Sequence, residues 1–501
     1  MITKSTLQNH KRLSVLFFFL IIVTANAQIG IGTVSPNATS ILDITSTTQG
    51  LLTPRMTTAQ RIAIATPAEG LLVYDTDLKL FYYYSGTWNP LNSTASGRLN
   101  FKRIKSTDVL ATVLASELSA GGGTKYVLNT NTLYEINGTV NFTLPIDLNN
   151  AYVTGQDANE DVIKSTASAI FQGNTGGSIR FLTLQGVSAF ALTGPGAATA
   201  SSLLVQNVII AGMTTSVGNI SGFGLYFGNI VQFVGNANGI QYSNIGNLLL
   251  SNQAWTSSNN GTFETYYGTF GLIQKNSGFS TLDASDVAID VTGTLGTLAV
   301  GTGIIFGTVF SGTTSNSTGY VKGYAAASTY PGYYFSTAWS VDAPGLPREG
   351  DSDSTGDINF AAAVGSGVTT TFTGTGTGSR IKIAGTTNSS NLFRFTKDGD
   401  NRITYRGNKT RYFQVAGSVS YQGTAADMTL ILYIVKNGVT VLTDTKVYGR
   451  PSTGFFSSAG ILALPIVGTV QMKTGDFIEI WGERYDGTGN ISVVSLNLTA
   501  K

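Results

Sequence analysis

The 501-residue chain has no cysteine, and its single histidine, His10, lies inside an N-terminal leader. Beyond that leader the chain therefore carries neither thiol nor imidazole. Ser-His-Asp triads, cysteine nucleophiles, zinc sites built on His or Cys, and haem ligation are excluded on that ground. Charge is also scarce, at 12% of residues, and removing Lys4, Lys11 and Arg12 with the leader leaves 27 basic against 28 acidic residues. No basic field is available for nucleic acid or an anionic membrane. The low charge, 60 Gly and abundant Thr, Ser and Asn argue against a helical protein, and the 42% apolar content argues against disorder. A chain this long exceeds one ordinary core, so two to four modules are expected.

Long apolar runs are missing as well, with one exception. LSVLFFFLIIV follows the charged stretch MITKSTLQNHKR and precedes Ala25-Asn26-Ala27, a small-residue cleavage site before Gln28. Residues 1–27 read as a secretory signal, with an uncleaved anchor as the alternative; the run is short for a bilayer span and the A-x-A ending favours cleavage. No Cys stands near the cleavage point, so a lipoprotein is not expected. The expected location is secreted or cell surface, with no membrane insertion after cleavage. Without disulfides, durability must come from a β-helix or an intertwined oligomer.

The organising stretch is residues 179–273: SIRFLTLQGV, SSLLVQNVIIAG, FGLYFGNIVQFVG, ANGIQYSNIGNLLLSNQ and YYGTFGLIQ. Each unit has a β-rich core and then Gly or Asn where the chain must turn; Asn207 and Asn229 fall about one repeat apart. Spacings near 20 residues and strands too short for a sandwich predict a parallel β-helix, each coil burying its side chains on its neighbours. The Asn residues are expected to be structural, their amides bonding along the stack. The expected fold is all-β, a right-handed parallel β-helix shaft with a C-terminal jelly-roll sandwich. Its parts are a collar at 28–95, a linker and helix-start cap at 96–140, the β-helix at 141–340, a linker or stem at 341–390 and a head at 391–501. In the collar, Thr57 or Thr58 is expected to cap a helical turn over TTAQRIAIA that Pro67 ends; in the linker that follows, Asp108 is expected to cap a short helix ended by Gly121 to Gly123.

Three stretches carry resemblances. IGIGT-x-SPN, LDI, GLL-x-PRMT-x-AQR, GLLVYDTD and YYY-x-G-x-W, in the collar, resemble a module at the start of exported proteins and phage-type tail fibres of the Bacteroidota. That resemblance implies attachment or trimerisation and brings no catalytic residues. TKYVLNTNTLYEINGTVNFTLPIDLNNAYVTGQD resembles the beginning of the β-helices of tail spikes and pectate-lyase-like proteins. RYFQVAGSVS, the LYIVKNG hairpin with Asn437-Gly438 as a two-residue turn, and KTGDFIEIWGER resemble tumour-necrosis-factor and complement-type jelly rolls. The last resemblance implies a homotrimer with Tyr412, Phe413, Phe477 or Trp481 in a core or subunit interface.

Candidate chemistry is thin. Glycan-cleaving β-helices need two carboxyls facing one cleft. Asp157, Glu160 and Asp161, and later Asp283, Asp286 and Asp290, stand in expected turns and read as solvated turn residues, while residues 179–261 contain no Asp or Glu. DSDSTGDIN resembles the first half of a calcium loop through Asp351, Asp353 and Thr355, but Ala362 replaces the closing Glu; the plainer reading is a polar linker. Tyr330, Tyr333, Tyr334 and Trp339 could stack on sugar rings or simply pack. The expectation is a non-enzymatic, fibre-like surface protein for adhesion or glycan recognition, without a required cofactor. The alternatives are a β-helix polysaccharide hydrolase or lyase, and a structural subunit of a filament or phage-like tail fibre. A connector from Pro344 to Asp357 is expected to let the head move.

Overall fold

The computed structural model describes residues 28–91, 100–425, 427–451 and 460–501; the expected leader lies outside them. The described residues are all-β apart from a few short helical turns, and the chain divides into two units, residues 1–98 and 99–501.

In the first unit, Ile29–Ile31 and Leu42–Ile44 pair in parallel. Arg55–Met56, Leu72–Asp75, Leu80–Ser85 and Thr87–Pro90 form a second, four-stranded sheet. The helical turn spans Thr58–Ile62, and Thr57 is its cap: its hydroxyl accepts the Gln60 N–H while the Gln60 side chain accepts the Thr57 N–H. Asp75 is fully buried and accepts from Arg61 Nε at 2.9 Å, the Thr58 hydroxyl and the N–H groups of Asp77 and Leu78. Burial pushes its carboxyl up, but these donors outweigh that and bring its pKa down to about 2. The Arg61 guanidinium lies 3.8 Å from the centre of the Tyr82 ring. Around this polar knot little else is covered. Val73 and Tyr82 are the buried apolar residues among those described, while Leu51 and Leu52 are 64% and 72% exposed.

In the second unit, twenty strands between residues 101 and 342 join through parallel pairs. Arg180, Gln206, Asn229, Ser251, Asn276 and Phe306 lie side by side in one row, each step being 22 to 30 residues. Phe190, Gly218, Ile240, Glu264 and Ile289 make another. The steps exceed the expected 20 because each circuit carries several strand segments. Side chains pointing inward stack along the rows, Tyr242 lying 6.1 Å from Tyr266 and Phe171 6.2 Å from Phe190, while Trp255 stacks on Phe263 of a different row at 4.6 Å; each pair is near parallel.

A corner runs beside the first row. Phe181, Asn207, Ile230, Asn252 and Ser277 occupy it one above another, all with φ between 51° and 59°. Asn207 sits there as expected, but Asn229 does not; the next residue, β-branched Ile230, takes the left-handed conformation. Val231 and Phe233 must point inward, so alternation places the corner at Ile230 whatever its own preference. An Asn stack does exist, at other residues. Asn236 Nδ2 donates to Asn259 Oδ1 at 2.8 Å and to the Ile210 carbonyl, and Asn259 Nδ2 donates to the Phe233 carbonyl at 2.7 Å, with both side chains fully buried.

The start of the rows is covered by Leu110–Val113 and Ala115–Ala120. Asp108 does not cap them; it accepts the Lys105 N–H, and Val109 is the residue before the helix. Glu117, fully buried, joins this cover to the first coils by accepting from Lys102 Nζ at 2.7 Å and the Tyr134 hydroxyl at 2.8 Å.

The C-terminal part is a two-sheet antiparallel sandwich. One sheet holds Gly356–Ala361, Ile491–Ala500, Arg411–Gly423 and Ile461–Met472; the other holds Phe395–Gly399, Arg402–Tyr405, Phe477–Asp486 and Thr429–Lys436. The stretch read as a stem contributes strands to both: Gly356–Ala361 and Val368–Thr370 pair with Ile491–Ala500, and Ile381–Lys382 pairs with Phe477–Asp486. Their partners lie about a hundred residues away or further, so no local hairpin signal marks them. At Asn437-Gly438, Lys436 pairs with Thr440, making a three-residue loop rather than a two-residue turn.

Candidate functional site

Where the last coil meets the sandwich, a cleft of about 820 Å³ opens between the loop carrying Tyr330 and Tyr333 and residues 387–398. Phe393 connects the two walls. Its ring stacks on Tyr333 with centres 4.0 Å apart and meets Tyr330 edge-on at 5.4 Å. Asn388, Ser389, Asn391, Thr396, Lys397 and Asp398 line the rest. The combination is an aromatic wall facing amides, hydroxyls and one charge of each sign.

A buried carboxylate positions the aromatic loop. Glu349 accepts the N–H groups of Tyr334 and Phe335 at 2.8 and 3.0 Å, and its backbone bridges to Val341. Burial raises its pKa to about 7 against the lowering effect of those two N–H groups and Arg394. Of the four aromatics expected to meet a ligand, the cleft gathers Tyr330 and Tyr333. Trp339 is 1% exposed, donates Nε1–H to the Tyr324 hydroxyl at 3.0 Å and packs in the coil core, so it is not available to a ligand. Tyr334 is half-buried against the same core. Strand alternation turned Trp339 inward, and no local feature of the sequence revealed which aromatics would do so.

The expected calcium ligands are committed elsewhere. Asp351 Oδ1 accepts from Arg394 Nη1 at 2.6 Å, and Oδ2 accepts the N–H groups of Asn408 and Lys409 at 3.0 and 2.7 Å. Asp353 faces Arg348 at 3.8 Å, and the Thr355 backbone pairs with Phe393. Among the described residues no group of three or more acidic or His side chains is placed to hold a metal. Arg394 also donates to the carbonyls of Thr337 and Trp339 at 2.8 and 2.5 Å. The connector is therefore pinned between the last coil and the sandwich rather than free to swing. Phe393 and Arg394, which join the two parts, went unnoticed in the sequence because neither stands in a motif.

Two of the carboxylate candidates, Asp283 and Asp286, lie side by side. Asp161 is buried and accepts the N–H groups of Gly138, Gln156 and Asp157, which hold its carboxyl below the usual range against the effect of burial. Asp286 is buried and accepts the Gly261 N–H; burial first, and then the neighbouring Asp283 carboxyl, push its own carboxyl up. Asp161 and Asp286 are internal acceptors in turns, not solvated residues; Asp157, Glu160 and Asp283 are exposed and Asp290 is half-buried.

The expected interface residues also divide. Phe413 is fully buried in the sandwich core. Phe477 lies beneath the Arg402 guanidinium at 3.9 Å, and Trp481 donates Nε1–H to Glu479 at 2.9 Å; both are half-buried. Tyr412 is 66% exposed, on an outer sheet face shared with Ala416, Pro465 and Val467.

Residues 30–107 match the family described as the phage tail-like trimerisation region. This supports a fibre-like structural protein assembled as a homotrimer. No curated protein matches the chain. Among solved structures, a tumour-necrosis-factor protein (Eiger) from S. frugiperda is 10% identical over 30% of this chain and 92% of its own, with a TM-score of 0.21. Murine APRIL is 9% identical over 29% of this chain and 98% of its own, with a TM-score of 0.20.

Proposed function

We propose that the protein is an exported, non-enzymatic surface fibre. In this reading a homotrimer is gathered by the N-terminal block, the parallel rows are a right-handed β-helix shaft, and the sandwich is a jelly-roll head. The observation that carries it is the apolar surface of residues 28–91, which no described element of its own unit covers, in the region that matches the trimerisation family. Copies of the same chain would bury that surface on one another. A non-enzymatic role draws support from the missing imidazole and thiol and from carboxylates occupied as turn acceptors. Light scattering on the purified full chain tests the assembly: three copies per particle are expected, and a monomer at micromolar concentration overturns it.

Within that fibre, the cleft beside Tyr330 and Tyr333 is assigned to a surface glycan. Aromatic rings give the apolar contact that sugar C–H groups need, and Asn388, Asn391 and Thr396 offer hydrogen-bond partners for hydroxyls. Tyr330→Ala should weaken binding to a glycan identified on an array by about 1–3 kcal/mol, the usual loss for an aromatic anchor. Unchanged affinity in calorimetry would remove the cleft from the reading and leave the fibre standing.

A further inference from the structure

Among the described ion pairs of the coils, Lys275–Glu264 alone has both side chains sealed from solvent, each 1% exposed. Each charge interrupts an aliphatic row. Lys275 lies between Leu250 and Ile305, and Glu264 between Ile240 and Ile289. Lys275 Nζ is 2.8 Å from Glu264 Oε1 and 4.7 Å from the centre of the Phe263 ring, while the Tyr266 hydroxyl donates to Oε2 at 2.6 Å. Phe263 stacks on Trp255 and Tyr266 on Tyr242, all four buried, so the surroundings are aromatic.

Sealed from solvent, neither charged group has water around it. Passing one proton from Nζ to the adjacent Oε1 leaves an amine touching a carboxylic acid. These are the reactants of amide formation, held together without loss of translational freedom and shielded from bulk water. We propose that Lys275 and Glu264 condense into an intramolecular amide that crosses the interior of their coil. The Nζ–Cδ bond forms and the Cδ–Oε1 bond breaks. Oε1 leaves as water with two of the three ammonium protons, the third stays on the amide nitrogen, and nothing is oxidised or reduced. Oε2 becomes the amide carbonyl, and Tyr266 O–H, already directed at it, stabilises the negative charge that gathers there in the tetrahedral intermediate. In a chain with no cysteine, this link supplies the covalent tie that exported proteins otherwise obtain from disulfides.

The spacing of basic residues makes the test direct. Between Arg180 and Lys322 the sole Lys or Arg is Lys275. Trypsin acting on the denatured full-length protein should leave residues 181–322 as one fragment, lighter by one water, since acylated Lys275 is not cleaved. Separate fragments 181–275 and 276–322 at unmodified mass would falsify the proposal, as would an uncut fragment that has lost no water. Tyr266→Phe removes only a hydroxyl and should lower the joined fraction at a fixed time after synthesis. Condensation at the wild-type rate in that variant would overturn the assigned role of Tyr266. Lys275→Met removes the cleavage site, so the 181–322 fragment stays whole in that variant but should carry the full mass of its sequence; a missing water there would place the loss elsewhere.

Discussion

The two units solve the same problem in opposite ways. The block at residues 28–91 is organised around a polar knot, Asp75 with Arg61 and Thr58, and leaves residues such as Ile41, Leu51 and Leu52 in solvent. The coils bury one continuous column of apolar side chains, with Trp255, Tyr242, Tyr266 and Phe190 all covered by the same chain. Where parallel strands lie row on row, each strand covers the one before it, so the core is covered by the same chain. A short block without such stacking must find its cover on other molecules. The first unit should therefore depend on assembly, and the second should not.

The largest expected effect is accordingly on assembly. Leu51→Asp combined with Leu52→Asp should convert the trimer to monomer in sedimentation at micromolar concentration and leave the main thermal unfolding transition in place. Loss of both together would show that the coils depend on the block as well. On the other side of the comparison, Trp255→Ala should cost about 3–5 kcal/mol, as large-to-small changes in a packed core do. Denaturant unfolding would register it, and the particle mass should not change.

Acid separates the two units by sign. Asp75 has a depressed carboxyl, so its contribution is present above its ordinary value of 3.8 and is lost as pH falls through about 2. Glu349 has a raised one, so the native state binds its proton more readily than the unfolded chain does. Its contribution is full below 4.5 and is lost as pH rises through about 7, on the order of 3 kcal/mol over that window. Thermal melts across this range should show Glu349→Gln flattening the upper slope alone, and an unchanged slope would refute the assignment.

The smallest effect concerns the corner. Ile230 is held at φ 54° and is 45% exposed, so Ile230→Asn should stabilise the coils by about 1 kcal/mol, since Asn tolerates the left-handed region that a β-branched side chain resists. A fall in melting temperature would mean that Ile230 makes contacts worth more than its strain.

By itself the sequence determined the all-β class, through alternating short apolar segments and the scarcity of charge, and it marked residues 28–91 by their own motifs. It also showed that the chain has no cysteine and one histidine, His10, which composition alone decides. It placed Asn207 at a corner but not Ile230, because the corner is set by which neighbours must point inward along a row, a property of stacked coils. Trp339 and Tyr333 stand in the same aromatic run, yet one closes the core and the other lines a cleft; only packing against Tyr266 and Phe393 separates them. The strands at 356–361 and 381–382, the tie between Asp351 and Arg394, and the contact of Lys275 with Glu264 were likewise decided by tertiary structure. A strand whose partner lies a hundred residues away leaves no periodic trace of that pairing. A charge is read as solvated until the fold removes the water around it.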